Sequence, residues 1–414
     1  MLKETKTKNN QELNYQIVLS YKVSHNYQLK TFLTECREKL NECIDIIWNN
    51  IEWTKKDKPK LPKSNEFKRN LRNKLLKNWN YASHYIDGII KTAYSILNSW
   101  SSNYKNGYRT KSKPIVKRLF VRVKTTLIKY DKDKGELKIT IKPRKEYLVL
   151  NIKNEWFFDK VKDLPIGEII LKENEAFLTF KDNLSYSDKE IIVGVDSNLK
   201  SLDLFHPIEG WIKIDISELH RIKEVYDKKI DMLKKLIKKC PLRVTRKIKR
   251  LFERRRNRVN DFLHKLTTQL SRLFPNVIFI FEDLNKRKMY KHKTFNRKLD
   301  RANWSEIIQK ISYKTITILV NPAYTSTTCP ICGNKMESQE GQVVFCSNCE
   351  NSFNRQLVGC FNIFKRGLGK VKELMGGSGV TTTGAEVSIG KLMTPNPNVV
   401  YKVDYNGKYL TKIS

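Results

Sequence analysis

Residues 191–205 read IIVGVDSNLKSLDLF. Ile191 to Val195 is an almost unbroken apolar run around one glycine, the composition of a strand buried on both faces. It ends on Asp196, and the residues that follow alternate through Phe205 as a returning strand does. Trp211 to Ile214 continues the pattern in hairpin fashion. Downstream, Val277 to Glu282 and Ile316 to Val320 are two further buried-type strands. The residues from Ser217 to Phe274 show helical spacing instead, through Leu233, Leu236 and Ile237, then Leu251, Phe252, Val259, Phe262 and Leu263. Strand, long helices, strand, helix, strand predicts an α/β domain. Two of its strands end on an acid, and a carboxylate closing an apolar strand is costly to hold without a role.

Working toward the N-terminus, Tyr15 to Val23 alternates and predicts a strand. Leu33, Cys36, Leu40, Cys43, Ile44 and Ile47 then recur at helical intervals, and helix is predicted from about Leu29 to Ser101. A loop is expected between Trp53 and Lys63, where lysine and proline interrupt the period. Trp48, Trp53, Trp79 and Trp100 read as bundle core in preference to base-stacking platforms. From Pro114 to Leu184 the runs become short and β-like: Leu119 to Ile128, Leu137 to Ile141, Tyr147 to Ile152 and Ala176 to Phe180. A strand before the helices and several after predict one β-barrel with a helical insertion. Beyond Gly376 the chain is rich in Gly, Thr and Pro with no period until Val399 to Val403, and it reads as a tail.

The chain of 414 residues is long enough for two to four domains. It carries 80 Lys and Arg against 43 Asp and Glu, a net charge of +37 that no ordinary fold requires. Such an excess points to a polyanion, and nucleic acid is favoured over a membrane surface. No membrane span is expected, because the longest strongly apolar stretches are far too short for one. Met1 to Asn14 has no apolar core, so a signal peptide is not expected either, and the expected location is the cytoplasm or nucleoid. The positive charge is densest at Arg246, Lys247, Lys249 and Arg250 and again at Arg254, Arg255 and Arg256, where phosphate contact is favoured over a merely solvated helix face.

Four of the eight cysteines form two CxxC pairs, Cys329 with Cys332 and Cys346 with Cys349, thirteen residues apart. Four thiolates on two short knuckles suit tetrahedral Zn²⁺, and a site closed by four protein ligands is structural. Cys36, Cys43, Cys240 and Cys360 read as small buried or incidental residues.

Several stretches together resemble one family, the transposon-encoded TnpB proteins and the miniature, class F, type V CRISPR effectors. Gly194-Val195-Asp196 resembles the first RuvC motif of that family, and Phe281-Glu282-Asp283-Leu284-Asn285 the second. Asn321 to Cys329 is similar to the segment leading into its zinc knuckle. Arg258 to Arg272 is similar to its basic helix, which makes His264 and Lys265 further expected nucleic-acid contacts, and Asn303-Trp304 begins a familiar helix. The resemblance is specific from about Ile191 to Gly367; before that it rests on the order of elements. It implies a multidomain α+β protein in these parts: a β-barrel wedge domain (12–30 and 112–188), a helical recognition lobe inserted in it (31–111), an RNase H-like (RuvC) domain (189–325 and 351–369), an inserted zinc ribbon (326–350) and a tail (370–414). It also implies a guide RNA, and a target DNA duplex read next to a short flanking motif, with base pairing supplying sequence and protein supplying charge and shape.

A RuvC site uses clustered acids to hold two Mg²⁺ for in-line hydrolysis. The resemblance gives Asp196 the first acid's role and Glu282 the second's. The family's third acid lies seven residues after the last zinc cysteine, and that position is Gln356. Counting six back from Asn362, which opens the matching Asn362-Ile363, also reaches Gln356. Its neighbours Leu357 to Cys360 have drifted, and Ser197-Asn198 stands where the family has Leu-Gly. An amide offers an oxygen but no charge, so Mg²⁺ binding is expected to be weak or absent. No replacement acid is evident: Asn351 to Lys372 contains none, Glu350 abuts the knuckle, and Asp203 and Asp283 are expected to point away. The expected function is an RNA-guided DNA binder with an inactivated nuclease that regulates transcription. It would act by occluding polymerase or by recruiting a sigma factor and RNA polymerase, and a homodimer is also compatible. The alternatives are an active RNA-guided endonuclease with a rearranged acid and a decayed transposon remnant.

Overall fold

The apolar run at Ile191 forms the central strand β1 (Ile191–Ser197), which turns back through β2 (Ser201–His206) into β3 (Gly210–Asp215) as an antiparallel meander. Two helices follow, α1 (Ser217–Lys234) and α2 (Pro241–Leu273). Pro241 opens α2 at a position where its missing N–H costs nothing, so the basic region is two helices separated by a turn. Then come β4 (Val277–Glu282), α3 (Trp304–Ile311) and β5 (Thr317–Val320). β4 pairs parallel with β1, and β5 pairs parallel with β4. The computed structural model describes residues 14–55, 57–185, 191–374, 392, 394–404 and 407–413.

Side-chain alternation sorts the sheet into two faces. Val193, Val195, Leu202, Leu204, Phe279 and Phe281 share a core with Phe262 and Leu266 of α2 and Ile307 and Ile311 of α3. The opposite face of the sheet is covered by α4 (Arg355–Leu374). Two glycines permit that approach. A Cβ on Gly194 would lie 2.2 Å from the Cys360 carbonyl oxygen, and one on Gly367 would lie 2.3 Å from Ile280 Cγ1.

The tail expected over 370–414 is corrected at both ends. α4 continues to Leu374, and β6 (Val399–Val403) joins the sheet parallel to β3, with β7 (Leu410–Lys412) antiparallel beyond it. The junction is closed by the Asn398 side chain, which accepts from Trp211 N at 2.8 Å. β3 leaves one edge unpaired until β6 arrives, and filling that edge satisfies a row of backbone groups. The Gly- and Thr-rich stretch 375–391 lies outside the described residues.

The second compact unit, Val18–Asp182, contains the expected helical insertion: Lys30–Asn49, Asn65–Leu76 and His84–Lys105. The predicted loop at 53–63 holds a small ribbon, Glu52–Trp53 with Pro59–Lys60. Trp100 is buried and packs on Trp48 at 4.5 Å between ring centroids and on Trp53 at 6.2 Å, as a bundle core does. Strands Asn14–Ser24, Glu175–Ser185, Ile169–Lys172 and Phe120–Val123 form one sheet in that order. Strands Ile128–Asp131, Glu136–Lys142 and Glu146–Asn151 form another. The run read as Leu119 to Ile128 is thus two strands, parted by a single helical turn at Thr125–Leu127. Residues 12–13 and 186–188 of the expected barrel, and 189–190 of the expected RuvC domain, lie outside the described residues. Among the described residues, no helix is long and apolar enough to cross a membrane.

Candidate functional site

Asp196 is the penultimate residue of β1, on the face covered by α4. A Cβ on Gly359 would lie 3.0 Å from Asp196 Oδ2, so the helix backbone packs directly against this carboxylate. Gln356 is three residues before Gly359, one turn away on the same side of α4. Glu282 ends the adjacent parallel strand and is 8% exposed. Its Oε1 accepts a hydrogen bond from Thr325 Oγ1 at 2.5 Å. Thr325 is held in turn by Asn362 of α4, whose Nδ2 donates to the Thr325 carbonyl at 2.7 Å and to the Thr328 carbonyl at 2.8 Å. The three positions taken from the family resemblance, Asp196, Glu282 and Gln356, therefore converge on one end of the sheet and the start of one helix.

A fourth residue belongs with them. β1 and β2 pair with Asp196 directly opposite Asp203, and residues opposite each other in an antiparallel pair share a face. The expectation that Asp203 points away is therefore wrong. Counting alternation along the chain ignores the bend at Ser197–Ser201, which sets the register. Asp203 is fully buried and fully engaged: Ser201 Oγ donates to its Oδ2 at 2.7 Å, Asn198 Nδ2 to the same oxygen at 3.0 Å, and Trp211 Nε1 to Oδ1 at 3.1 Å. Asn198 Nδ2 also lies 3.4 Å from Asp196 Oδ2. Asp283 is exposed, as expected, and Glu350 is exposed in a left-handed turn at φ 54°.

The electrostatics follow from this crowding. Burial, then the charges of Glu282 and Asp203, push the Asp196 carboxyl up to about 7, against the smaller pull of Asn198 and Arg355. Burial likewise raises Glu282, with Thr325 and Arg366 opposing.

The four expected cysteine ligands meet. Their sulfurs all lie within 4.8 Å of one another, with Cys329 to Cys349 at 4.0 Å and Cys332 to Cys346 at 3.6 Å. Each CxxC is followed by a residue in the left-handed region, Gly333 at φ 78° and Glu350 at φ 54°, which folds the two knuckles toward one point. A three-stranded sheet of Glu337–Ser338, Val343–Cys346 and Asn351–Asn354 carries the second pair, and its last strand runs straight into α4. Of the other cysteines, Cys36, Cys43 and Cys360 are buried, while Cys240 is exposed just before α2.

On α2, Arg246, Lys247, Lys249, Arg250, Arg254 and Arg256 are exposed, and none pairs with a carboxylate among the described residues. The other three expected contacts differ. Arg255 is half-buried and ion-paired to Asp227 of α1, which also binds Arg301 at 2.9 Å. Lys265 pairs with Asp261 at 2.6 Å. The His264 ring lies between Tyr313 Oη at 2.6 Å and Lys310 Nζ at 3.1 Å, and burial with the charges of Lys310 and Lys314 lowers its pKa. These three are spoken for by local contacts that the charge pattern alone does not reveal.

A mixed sheet with acids gathered where its parallel strands end, and a cysteine knuckle spliced in before the helix that closes the site, define a RuvC-type, RNase H-like domain. Sequence profiles agree: the OrfB_IS605 probable transposase family matches residues 181–293, the Cas12f1-like TNB domain residues 304–363, and the uncharacterized protein MJ0013 family residues 32–140. TnpB-like protein MJ1635 of Methanocaldococcus jannaschii is 80% identical over 414 residues, covering all of both chains. This chain belongs to the TnpB-like protein family. A more distant relative, "Putative RNA-guided DNA endonuclease InsQ" of Escherichia coli (strain K12), is 26% identical over 204 residues, which is 42% of this chain and 49% of that one. The fold is also that of the protein in a Cas12f1-sgRNA-target DNA complex, with a TM-score of 0.50 and 15% identity over 81% of each chain.

Proposed function

We propose that this chain is an RNA-guided, sequence-specific DNA-binding protein whose nuclease site no longer works. It acts on transcription, by occluding polymerase or by recruiting a sigma factor with RNA polymerase. The observation that carries the reading is Gln356, a neutral amide in the first turn of α4, one turn before the Gly359 backbone that packs on Asp196, at the position where the family's third acid is expected. The residues do not fit a two-metal centre. Such a centre depends on several anionic ligands, and here one position is uncharged while Asp203 has all of its neighbouring donors already bound. The cross-strand pairing of Asp203 with Asp196 favours one other reading, an active nuclease in which Asp203 is the replacement acid. Its three hydrogen bonds argue instead for a structural carboxylate.

Cys329, Cys332, Cys346 and Cys349 fit a structural Zn²⁺. Zn–S bonds of about 2.3 Å place the sulfurs of a tetrahedron about 3.8 Å apart, close to the spacing found here. In the same reading, residues 31–111 are the recognition lobe, the strands flanking it are the wedge, and the protein works in the cytoplasm or on the nucleoid.

The test of the function is direct. RNA co-purifying with the protein should be one discrete species, and that complex should bind DNA matched to the RNA at least about 10³-fold more tightly than unmatched DNA. Equal affinity for matched and unmatched duplexes would overturn the reading.

The basic stripe of α2 gives a second expectation. Arg246, Arg250 and Arg254 follow one another at i, i+4 on the exposed face, so they can track one run of phosphates. Replacing all three with Gln should weaken binding to every target alike and flatten the salt dependence by about 0.9 per lost contact, roughly 2.7 in all. Arg255→Gln should instead leave the slope unchanged and lower the melting temperature, because it strands Asp227. An unaltered slope in the triple variant would place these side chains in solvent.

A further inference from the structure

The bend between β1 and β2 pins Asn198 from three directions. Its backbone N–H donates to the Ser201 carbonyl at 3.0 Å, and its own carbonyl accepts from the Trp304 indole N–H at 3.0 Å. Its side-chain amide is thereby aimed between two carboxylates, 3.0 Å from Asp203 Oδ2 and 3.4 Å from Asp196 Oδ2. The amide orientation is dictated by charge, because turning its oxygen toward two carboxylates would be repulsive. On its other side, Asp196 Oδ2 is walled by the α4 backbone at Gly359. A donor N–H on one side and the α4 backbone on the other thus crowd an oxygen that a divalent cation would need, and Mg²⁺ demands short, near-octahedral contacts to such oxygens.

We propose that Asn198 is a positioning residue that takes a cation's place between Asp196 and Asp203, a lock on the site separate from the loss of charge at Gln356. This rests on the reading of an inactive nuclease and adds a second cause. Restoring the third acid alone leaves the amide in place, so it does not restore metal binding. Removing the amide as well frees Asp196 Oδ2 and one lone pair of Asp203. In the doubly substituted chain, Asp196 and Glu282 can then share an ion with the carboxylate introduced by Gln356→Asp.

The experiment measures Mn²⁺ binding by electron paramagnetic resonance on the full-length protein with its co-purified RNA. Four proteins are compared: wild type, Gln356→Asp, Asn198→Ala and the double variant. Wild type and both single variants should bind no more tightly than an Asp196→Ala control, and the double variant roughly ten- to hundredfold more tightly than Gln356→Asp. A double variant that binds no more tightly than Gln356→Asp overturns the lock. Thermal melting accompanies each sample. If Asn198→Ala does not fold, Asn198→Gly removes the same amide and is read by the same criteria. Gel shifts with RNA-matched DNA are run in parallel. Their failure in all four proteins would count against the DNA-binding reading while leaving the metal comparison intact.

Discussion

DNA matched to the guide is expected to be fully bound and left uncut. Hydrolysis in a RuvC-type site needs metal-held oxygens on both the attacking and the leaving side of the phosphorus, and the negative ligand charge is what keeps those metals in place. On the proposed reading the third ligand position falls to Gln356, and the amide of Asn198 reaches between the acids. A loss of about 4 kcal/mol of transition-state stabilisation already slows cutting about 10³-fold, and both changes act in that direction. Binding need not suffer, since in RNA-guided complexes a heteroduplex is held through its backbone by positive charge and not by the metals. The check is a cleavage assay with purified ribonucleoprotein, Mg²⁺ or Mn²⁺, and matched duplex at concentrations where gel shifts show full occupancy. Guide-dependent cutting that vanishes on Asp196→Ala or Glu282→Ala would end the inactive reading. If it also vanished on Asp203→Asn, Asp203 would be the replacement acid.

Stripping the metal from the cysteine knuckle, or replacing Cys329 with Ser, is expected to unfold residues 326–354. Apart from Cys329 and Cys346, this segment buries few side chains, chiefly Met336, Val344 and Phe353. A structural Zn²⁺ contributes on the order of 10–16 kcal/mol to such small folds, far more than three apolar side chains can replace. The effect should spread, because strand Asn351–Asn354 feeds α4 and Asn362 ties α4 to the loop ahead of Cys329. Loss of about one zinc per chain should therefore accompany faster amide exchange through the knuckle and the first turns of α4. Metal analysis giving well under one zinc per chain in fully folded protein would refute the assignment.

Much of this molecule was legible before any tertiary contact was known. The strands at Ile191, Val277 and Ile316 and the helices between them announce themselves by periodicity. The meeting of the four cysteines does so by spacing, whereas the interest of Gln356 comes only from the family resemblance. These are local signals, set by which faces of a strand or helix must be apolar and by how few loop conformations bring four thiolates together. The basic helix was legible only in part. Its charges are plain in the sequence, but Arg255 is claimed by Asp227 on a neighbouring helix, 28 residues away.

Other features depended on register and on distant partners. Val399–Val403 looked like the end of a tail because its neighbour, β3, is nearly two hundred residues upstream, and nothing local declares an open sheet edge. Asp203 looked misdirected because alternation along one chain says which side a residue faces only relative to its own strand. The bend at Ser197–Ser201 decides which residue of β2 stands opposite Asp196, and the hydrogen-bond ladder settles that it is another carboxylate. Composition, periodicity and ligand spacing were thus determined by the sequence itself. Which acids share a face, and what donor reaches between them, was decided only when β1, β2 and α4 packed together, because a buried charge takes its surroundings from chain segments that are far apart in sequence.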